Sequence, residues 1–216
     1  MPETAEQVRE AYLAAILEPE PAAAREVIRA ALRGGSAIES LYEEVLAPAM
    51  VEVGRRWENG AIGVAHEHLA AEVTASLVSE LATRVRNEPD TGRMAIVACS
   101  PDERHCLGGQ MLGGLLEASG WEVLYLGASL PAEDLVALAA DEAADAVALS
   151  TTLPDHLPGV AATIGAFGAL EEPPLVIVGG QAYSGEDQAR ELGADAYASS
   201  VTEAPALLRR RLPPAA

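Results

Sequence analysis

The chain of 216 residues is half hydrophobic but only 4% aromatic, so Ala, Leu and Val must fill its core, and its formal net charge is −19. Such a charge argues against nucleic acid or an anionic membrane as a direct partner, and no apolar run reaches the roughly 18 residues of a spanning helix. The opening MPETAEQVREAY lacks the basic and apolar regions of a secretory signal, and Cys99 and Cys106 do not form a C-x-x-C pair, so a cytoplasmic protein with reduced thiols is expected.

The first 88 residues read as helices alone. Glu3 to Leu17 places Val8, Tyr12, Ala15 and Ile16 on one face, and EPEP interrupts it. Ala22 to Leu32 resumes the pattern and ends at Gly34-Gly35, with Ser36 as the expected N-cap of a third helix running to about Trp57. Pro48 lies inside that helix and is expected to kink it. A fourth helix, Val64 to about Val85, carries Leu69, Val73, Leu77 and Leu81 at four-residue spacing. Four amphipathic helices with short connections predict a four-helix bundle over residues 1–88.

Arg86 to Gly92, RNEPDTG, is a polar linker, and the rhythm changes after it. Short apolar runs at Met94–Cys99, Glu122–Leu126, Ala146–Leu149, Leu175–Val178 and Ala194–Ala198 alternate with helical stretches. That alternation predicts a flavodoxin-like, doubly wound, five-stranded parallel sheet over residues 92–216. The fold class is therefore all-α followed by α/β. Ligands of such sheets bind at the carboxyl ends of the strands.

Three features fall at that rim. Glu103-x-His105-x-x-Gly108 follows the first strand, Ser150-Thr151-Thr152 the third, and Gly179-Gly180 the fourth, with 41 residues between Gly108 and Ser150 and 26 between Thr152 and Gly179. Each has an ordinary structural use: a polar loop residue, a helix cap, a tight turn. Together they suit a bulky ligand with a metal centre and a long tail. A neutral imidazole can ligate a transition metal, and a carboxylate two residues away can accept its other N–H and fix the tautomer. Glycines leave room for a flat group beside the sheet, and Ser150 offers a hydroxyl.

The set resembles the cobalamin-binding domain family, whose signature is D-x-H-x-x-G, then S-x-L or S-x-T, then G-G; Glu103 stands here in the Asp position. The resemblance implies that His105 is the lower axial ligand of cobalt, that Glu103 orients it, and that Gly108, Ser150, Thr152, Gly179 and Gly180 hold the displaced tail. Mutases, methionine synthases, methyl carriers and light sensors share this domain.

In the helical half, Trp57 is followed by nine residues and then Glu67-His68. A flat apolar side chain with two hydrogen-bonding ones could roof a ligand. The pattern resembles the sensor module of the CarH-type cobalamin photoreceptors, which implies that Trp57, Val64, Glu67 and His68 face the upper side of adenosylcobalamin and that the bundle caps it. Those regulators carry a DNA-binding domain before the bundle; this sequence begins with the bundle, and direct nucleic-acid contact is not expected. Glu58 stands where well-known members have a histidine, which leaves His66 or His68 as nitrogen donors, His68 being favoured. A form without a DNA-binding domain also resembles the photocobilins, which pair cobalamin with a bilin such as biliverdin. No residue pattern marks a bilin site, and Cys106 reads most simply as a free thiol. The leading expectation is a non-enzymatic cobalamin light sensor acting through a homo-oligomer or a protein partner. The alternative is a corrinoid methyl carrier serving a methyltransferase.

Overall fold

The computed structural model describes residues 4–85 and 88–215 and divides between residues 84 and 85 into two compact units. Glu3 of the expected first helix and Arg86 and Asn87 of the linker lie outside the described residues.

In the first unit, α1 (Ala5–Leu17) starts at a capping box, in which Thr4 Oγ1 accepts from Gln7 N at 3.2 Å and Gln7 Oε1 accepts from Thr4 N at 2.9 Å. Its buried face is Val8, Tyr12 and Ile16. Helix α2 (Pro21–Arg33) ends with Gly35 at φ +96°. Gly35 N donates to Leu32 O and Ser36 N to Ala31 O, so the orphan carbonyls of α2 are closed by the two residues that follow its cap. The next helix, α3 (Ile38–Ser40), starts one residue later than expected: its N-cap is Ala37, with no side-chain cap bond, which corrects the expected role of Ser36.

Pro48 follows a helical irregularity. A π-helical turn, Leu41–Leu46, leads into α4 (Ala47–Glu58), and buries Leu41, Tyr42, Val45 and Leu46. Pro48 has no N–H for the carbonyl of Glu44, four residues earlier; the guanidinium of Arg9 donates to that oxygen at 3.4 Å. Helix α5 (Val64–Ala82) ends three residues before the expected boundary and buries Ala70, Val73, Thr74, Leu77, Val78 and Leu81. Helix α1 packs on α2, α4, α5 and the π-turn, while α5 packs on α2 and α4, which completes the expected bundle.

In the second unit, β1 (Met94–Cys99), β2 (Glu122–Gly127), β3 (Ala146–Ser150), β4 (Leu175–Gly179) and β5 (Ala196–Ala198) form a parallel sheet in the order β2-β1-β3-β4-β5. The helices α6 (Leu107–Ala118), α7 (Ala132–Asp141), α8 (Leu157–Phe167), α9 (Glu186–Glu191) and α10 (Glu203–Arg211) cover both faces. Strand alternation sorts the core. Ile96, Ala98, Val147, Leu149, Val176 and Val178 meet α7, α8 and α9. Ala95, Val97, Ala146, Ala148, Ile177 and Ala196 meet α6 and α10. The strands set their register with aspartates: Asp145 Oδ2 accepts from Met94 N at 2.8 Å, and Asp195 Oδ2 from Val176 N at 2.7 Å. Asp195 thus pairs through its side chain just ahead of the ladder, and β5 begins at Ala196 rather than Ala194. The strand order reverses direction between β1 and β3, and ligands of such sheets bind at the carboxyl ends of the strands on either side of that reversal.

A polar pair lies in the bundle core, Tyr12 Oη to Thr74 Oγ1 at 2.8 Å, both groups fully buried. Thr74 Oγ1 also bonds Ala70 O at 2.7 Å. Tyr12→Phe leaves Thr74 satisfied, whereas Thr74→Val strands the Tyr12 hydroxyl. Thr74→Val should therefore cost about 1–3 kcal/mol and Tyr12→Phe about 1 kcal/mol or less in urea unfolding of the bundle; equal costs would contradict this asymmetry.

Candidate functional site

The loop between β1 and α6 turns back on itself through Glu103 N to Ser100 O at 3.0 Å, with Asp102 at φ +65°. This fold sends the Glu103 side chain inward, to 0% exposure, and leaves the His105 side chain 56% exposed. Glu103 Oε1 accepts from His105 N at 2.9 Å and from His105 Nδ1 at 2.6 Å. Glu103 Oε2 accepts from Thr152 N at 2.8 Å, Leu153 N at 3.0 Å and His156 Nδ1 at 3.1 Å. Burial alone would raise this carboxyl. The backbone N–H groups of His105, Leu153 and Thr152, joined by the His105 ring, overcome that effect and hold it down to about 2. An ionised carboxylate only accepts, so His105 donates from Nδ1 and its Nε2 is the nitrogen left for a metal.

The other rim residues gather around this loop. A Cβ on Gly108 would stand 3.3 Å from Ser150 Oγ, so the first turn of α6 lies on the end of β3 with only a hydroxyl between them. Ser150 pairs in register with Gly179, and Thr151 N donates to Gly179 O at 3.0 Å. Gly180, at φ +115°, brings its Cα so near the neighbouring loop that a Cβ would lie 2.2 Å from Thr151 O. Thr152 acts here through its backbone N–H on Glu103. The seven residues selected from the sequence in this unit thus share one rim.

Three neighbours, His156, Ser100 and Tyr183, escaped the sequence reading. His156, on a single 3-10 turn (Pro154–His156) before α8, is a second imidazole on Glu103 and is 19% exposed. Its signal was available: it is one of only four histidines and lies six residues after Ser150. Thr151 Oγ1 bonds Ser100 Oγ at 3.1 Å and Tyr183 Oη at 3.2 Å, a buried set that braces the loops after β1, β3 and β4. Nothing local in the sequence marks it.

In the bundle, Trp57 and Val64 are 47% and 51% exposed, at the end of α4 and the start of α5. Glu67 Oε2 accepts from His68 Nδ1 at 2.6 Å, and the His68 side chain is 74% exposed. Glu58 and His66 are exposed as well. These side chains cluster about the α4–α5 connection. Among the described residues no helix is long and apolar enough to cross a membrane.

Comparison with known proteins places these features. A family model described as "B12 binding domain" matches residues 93–208, and a second with the same description matches residues 8–82. The HTH-type transcriptional repressor CarH of Myxococcus xanthus is 41% identical over 113 residues, 51% of this chain; the aligned part is 36% of that repressor, so the chain spans about a third of its length. Dimethylamine corrinoid protein 1 of Methanosarcina acetivorans is 28% identical over 176 residues, covering 80% of this chain and 82% of the relative. The solved monomethylamine corrinoid protein of Methanosarcina barkeri shares the fold, with TM-score 0.81 over 96% of this chain and 100% of that one at 19% identity.

The Glu103 interactions have a pH signature. Its carboxyl is lowered from the ordinary 4.5 to about 2 in the folded protein, so its stabilising contribution is full above about 4.5 and is lost as the pH falls toward 2. Glu103→Gln should lower stability at neutral pH and flatten the fall in stability between those two values. His156→Ala, which leaves two backbone donors on Oε2, should keep most of that fall. Acid titrations of urea stability for the three proteins check this; a wild-type slope in Glu103→Gln would refute it.

Proposed function

The chain belongs to the family of B12-binding domains, with a match in each half, and on that premise we propose that it is a corrinoid carrier that presents a cobalamin to a methyl-transferring protein partner. The rim fits such a group. An exposed imidazole has one nitrogen fixed by a buried carboxylate and the other free, and beside it α6 meets the sheet through Gly108 rather than a side chain. His105 Nε2 would ligate cobalt. Glu103 would keep Nδ1 as donor and raise the basicity of the ring. Gly108, Ser150, Thr152, Gly179 and Gly180 would hold the tail. When bound, the cobalamin supplies a cobalt centre that can carry a one-carbon group. The protein itself positions, shields and delivers, and has no catalytic residue of its own in this reading.

One observation carries the choice of a carrier over other users of the domain. The likeness to a dimethylamine corrinoid protein runs through four-fifths of both chains, whereas the likeness to CarH takes in half of this one. A second reading, a light sensor using adenosylcobalamin, is favoured by the exposed Trp57 and Val64 beside the Glu67–His68 pair. In that reading the four side chains contact the adenosyl group. A bilin such as biliverdin would be a further chromophore in that reading, and Cys106 stands as a free thiol.

Reconstitution separates the readings. His105→Ala should lose the metal-bound spectrum and release methylcobalamin on gel filtration, while Glu103→Gln should weaken retention by about 10–100-fold. A carrier loaded with methylcobalamin should give up its methyl group to a corrinoid-dependent methyltransferase. The sensor reading instead requires a lasting spectral change of the adenosylcobalamin complex under green light, altered by Trp57→Ala. Retention and a wild-type spectrum in His105→Ala would overturn the assignment of the ligand; a light response without methyl transfer would overturn the carrier.

A further inference from the structure

Both cysteines of the chain lie at the two ends of the loop that carries His105. Cys99 closes β1 and is fully buried; Cys106 immediately precedes α6 and is partly exposed. Their thiols hold adjacent carbonyls. Cys99 Sγ donates to the His105 oxygen at 3.7 Å, and Cys106 Sγ donates to the Arg104 oxygen at 3.4 Å. These are the two carbonyls on either side of the His105 α-carbon, so the backbone at the candidate ligand is braced by both sulfurs. The His105 oxygen belongs to the peptide group that joins His105 to Cys106, so its bond to Cys99 Sγ sets the buried sulfur beside the backbone of Cys106.

We propose that Cys99 and Cys106 are a reversible dithiol–disulfide site that sets the position of His105. In the reduced state the thiols hold the two carbonyls and the imidazole stays on Glu103. An oxidant of the hydroperoxide class meets the exposed sulfur first. Cys106 takes its terminal oxygen and becomes a sulfenic acid, while the O–O bond breaks and an alcohol or water leaves. The Cys99 sulfur then attacks that sulfur; the S–S bond forms, the S–O bond breaks, and the departing hydroxide takes the Cys99 proton as water. Two thiols lose two electrons, and the hydroperoxide gains them. A thiol reductant reverses the change. The disulfide frees the carbonyls of Arg104 and His105 and ties the ends of the loop to each other. With those two bonds gone and the loop ends joined, the backbone on either side of the His105 α-carbon moves and the short His105–Glu103 contact is lost. The link to cofactor retention rests on the proposed role of His105 as cobalt ligand; the thiol chemistry and the movement of the ring do not.

The test uses the full chain without cofactor, treated with hydrogen peroxide and desalted. Peptide mapping should show a Cys99–Cys106 crosslink with the loss of two hydrogens, restored by dithiothreitol. Cys106→Ser and Cys99→Ala should each abolish it. In the same samples the His105 ring nitrogens, read by NMR, should shift on oxidation and return on reduction. Oxidised protein should then retain methylcobalamin in the dark at least about 10-fold less tightly than reduced protein, in line with the loss of an outer-shell contact, and Cys106→Ser should be indifferent to peroxide. Crosslinks between chains, sulfinic acid at Cys106 with Cys99 still free, or a disulfide that leaves the His105 ring resonances unmoved would each overturn the proposal. Should reduced protein take up no methylcobalamin, the ligand reading of His105 falls, while the crosslink and the ring resonances still decide this one.

Discussion

One buried carboxylate organises the rim of the α/β unit. Glu103 accepts five N–H bonds through its two oxygens, three from backbone and two from imidazoles. Its backbone oxygen accepts a further one from Ser129 N at 2.9 Å, in the connection after β2. The segments that leave β1, β2 and β3 are therefore tied to a single residue. A bare carboxylate at 0% exposure would cost several kcal/mol in lost hydration; here it stays ionised because every side of it meets a donor. That condition explains the asymmetry of His105. The ring is pinned at one nitrogen by a group that cannot donate, and the remainder of the side chain stands in water. Rigidity at Nδ1 and availability at Nε2 have the same physical origin.

The glycines at the rim answer to the chain before they answer to any ligand. Gly180 has a positive φ, and its Cα lies where any side chain would run into the Thr151 carbonyl. A Cβ at Gly179 would come within 2.9 Å of Ala198 O. Both are needed for the loops after β3, β4 and β5 to pass each other closely. Gly108 is different. Its φ is ordinary and its nearest neighbour is the Ser150 hydroxyl, so an added methyl would press on a polar side chain and not on backbone. The structural and functional readings of these glycines are compatible, and the Gly pair alone would not have distinguished them. What distinguishes the rim is the carboxylate–imidazole pair, which no turn or cap requires.

The parts of the fold legible in the sequence are those set by local periodicity. Met94–Cys99 is a strand because six consecutive small or apolar residues suit a position buried on both faces, and the structure keeps those bounds. The parts that were not legible depend on distant partners. Ser36 looks like an N-cap, but the turn that closes the preceding helix moves the start of the next one so that Ala37 takes that place. The Glu44 carbonyl, which the Pro48 nitrogen cannot serve, takes a donor from Arg9, far away in the chain. His156 and Ser100 become site residues only when the β3 loop is folded against the β1 loop. Spacing alone gave the rim residues in the order Glu103, His105, Ser150 and Gly179 because each sits directly after a strand, and a parallel sheet brings all such positions to one edge.

The bundle raises a separate physical question, since its interior is well filled but one end is not. Tyr12, Tyr42, Leu41, Leu46, Leu77 and Leu81 are almost wholly buried, while Trp57, the larger of the aromatic types, is 47% exposed and Val64 is 51% exposed. Leaving that much apolar surface in water forgoes stabilisation at about 25 cal/mol per Å². The indole stands at the last turn of α4, at the connection that leads to α5 and its Glu67–His68 pair. Apolar surface rimmed by hydrogen-bonding groups is what a contact surface requires, and a cofactor face or a partner protein would each satisfy it. A carrier and a sensor therefore place the same demand on this end of the bundle, and they differ in what must leave it: a carrier has to expose the reactive side of its cargo to a partner, whereas a sensor has to keep that side covered until a signal arrives.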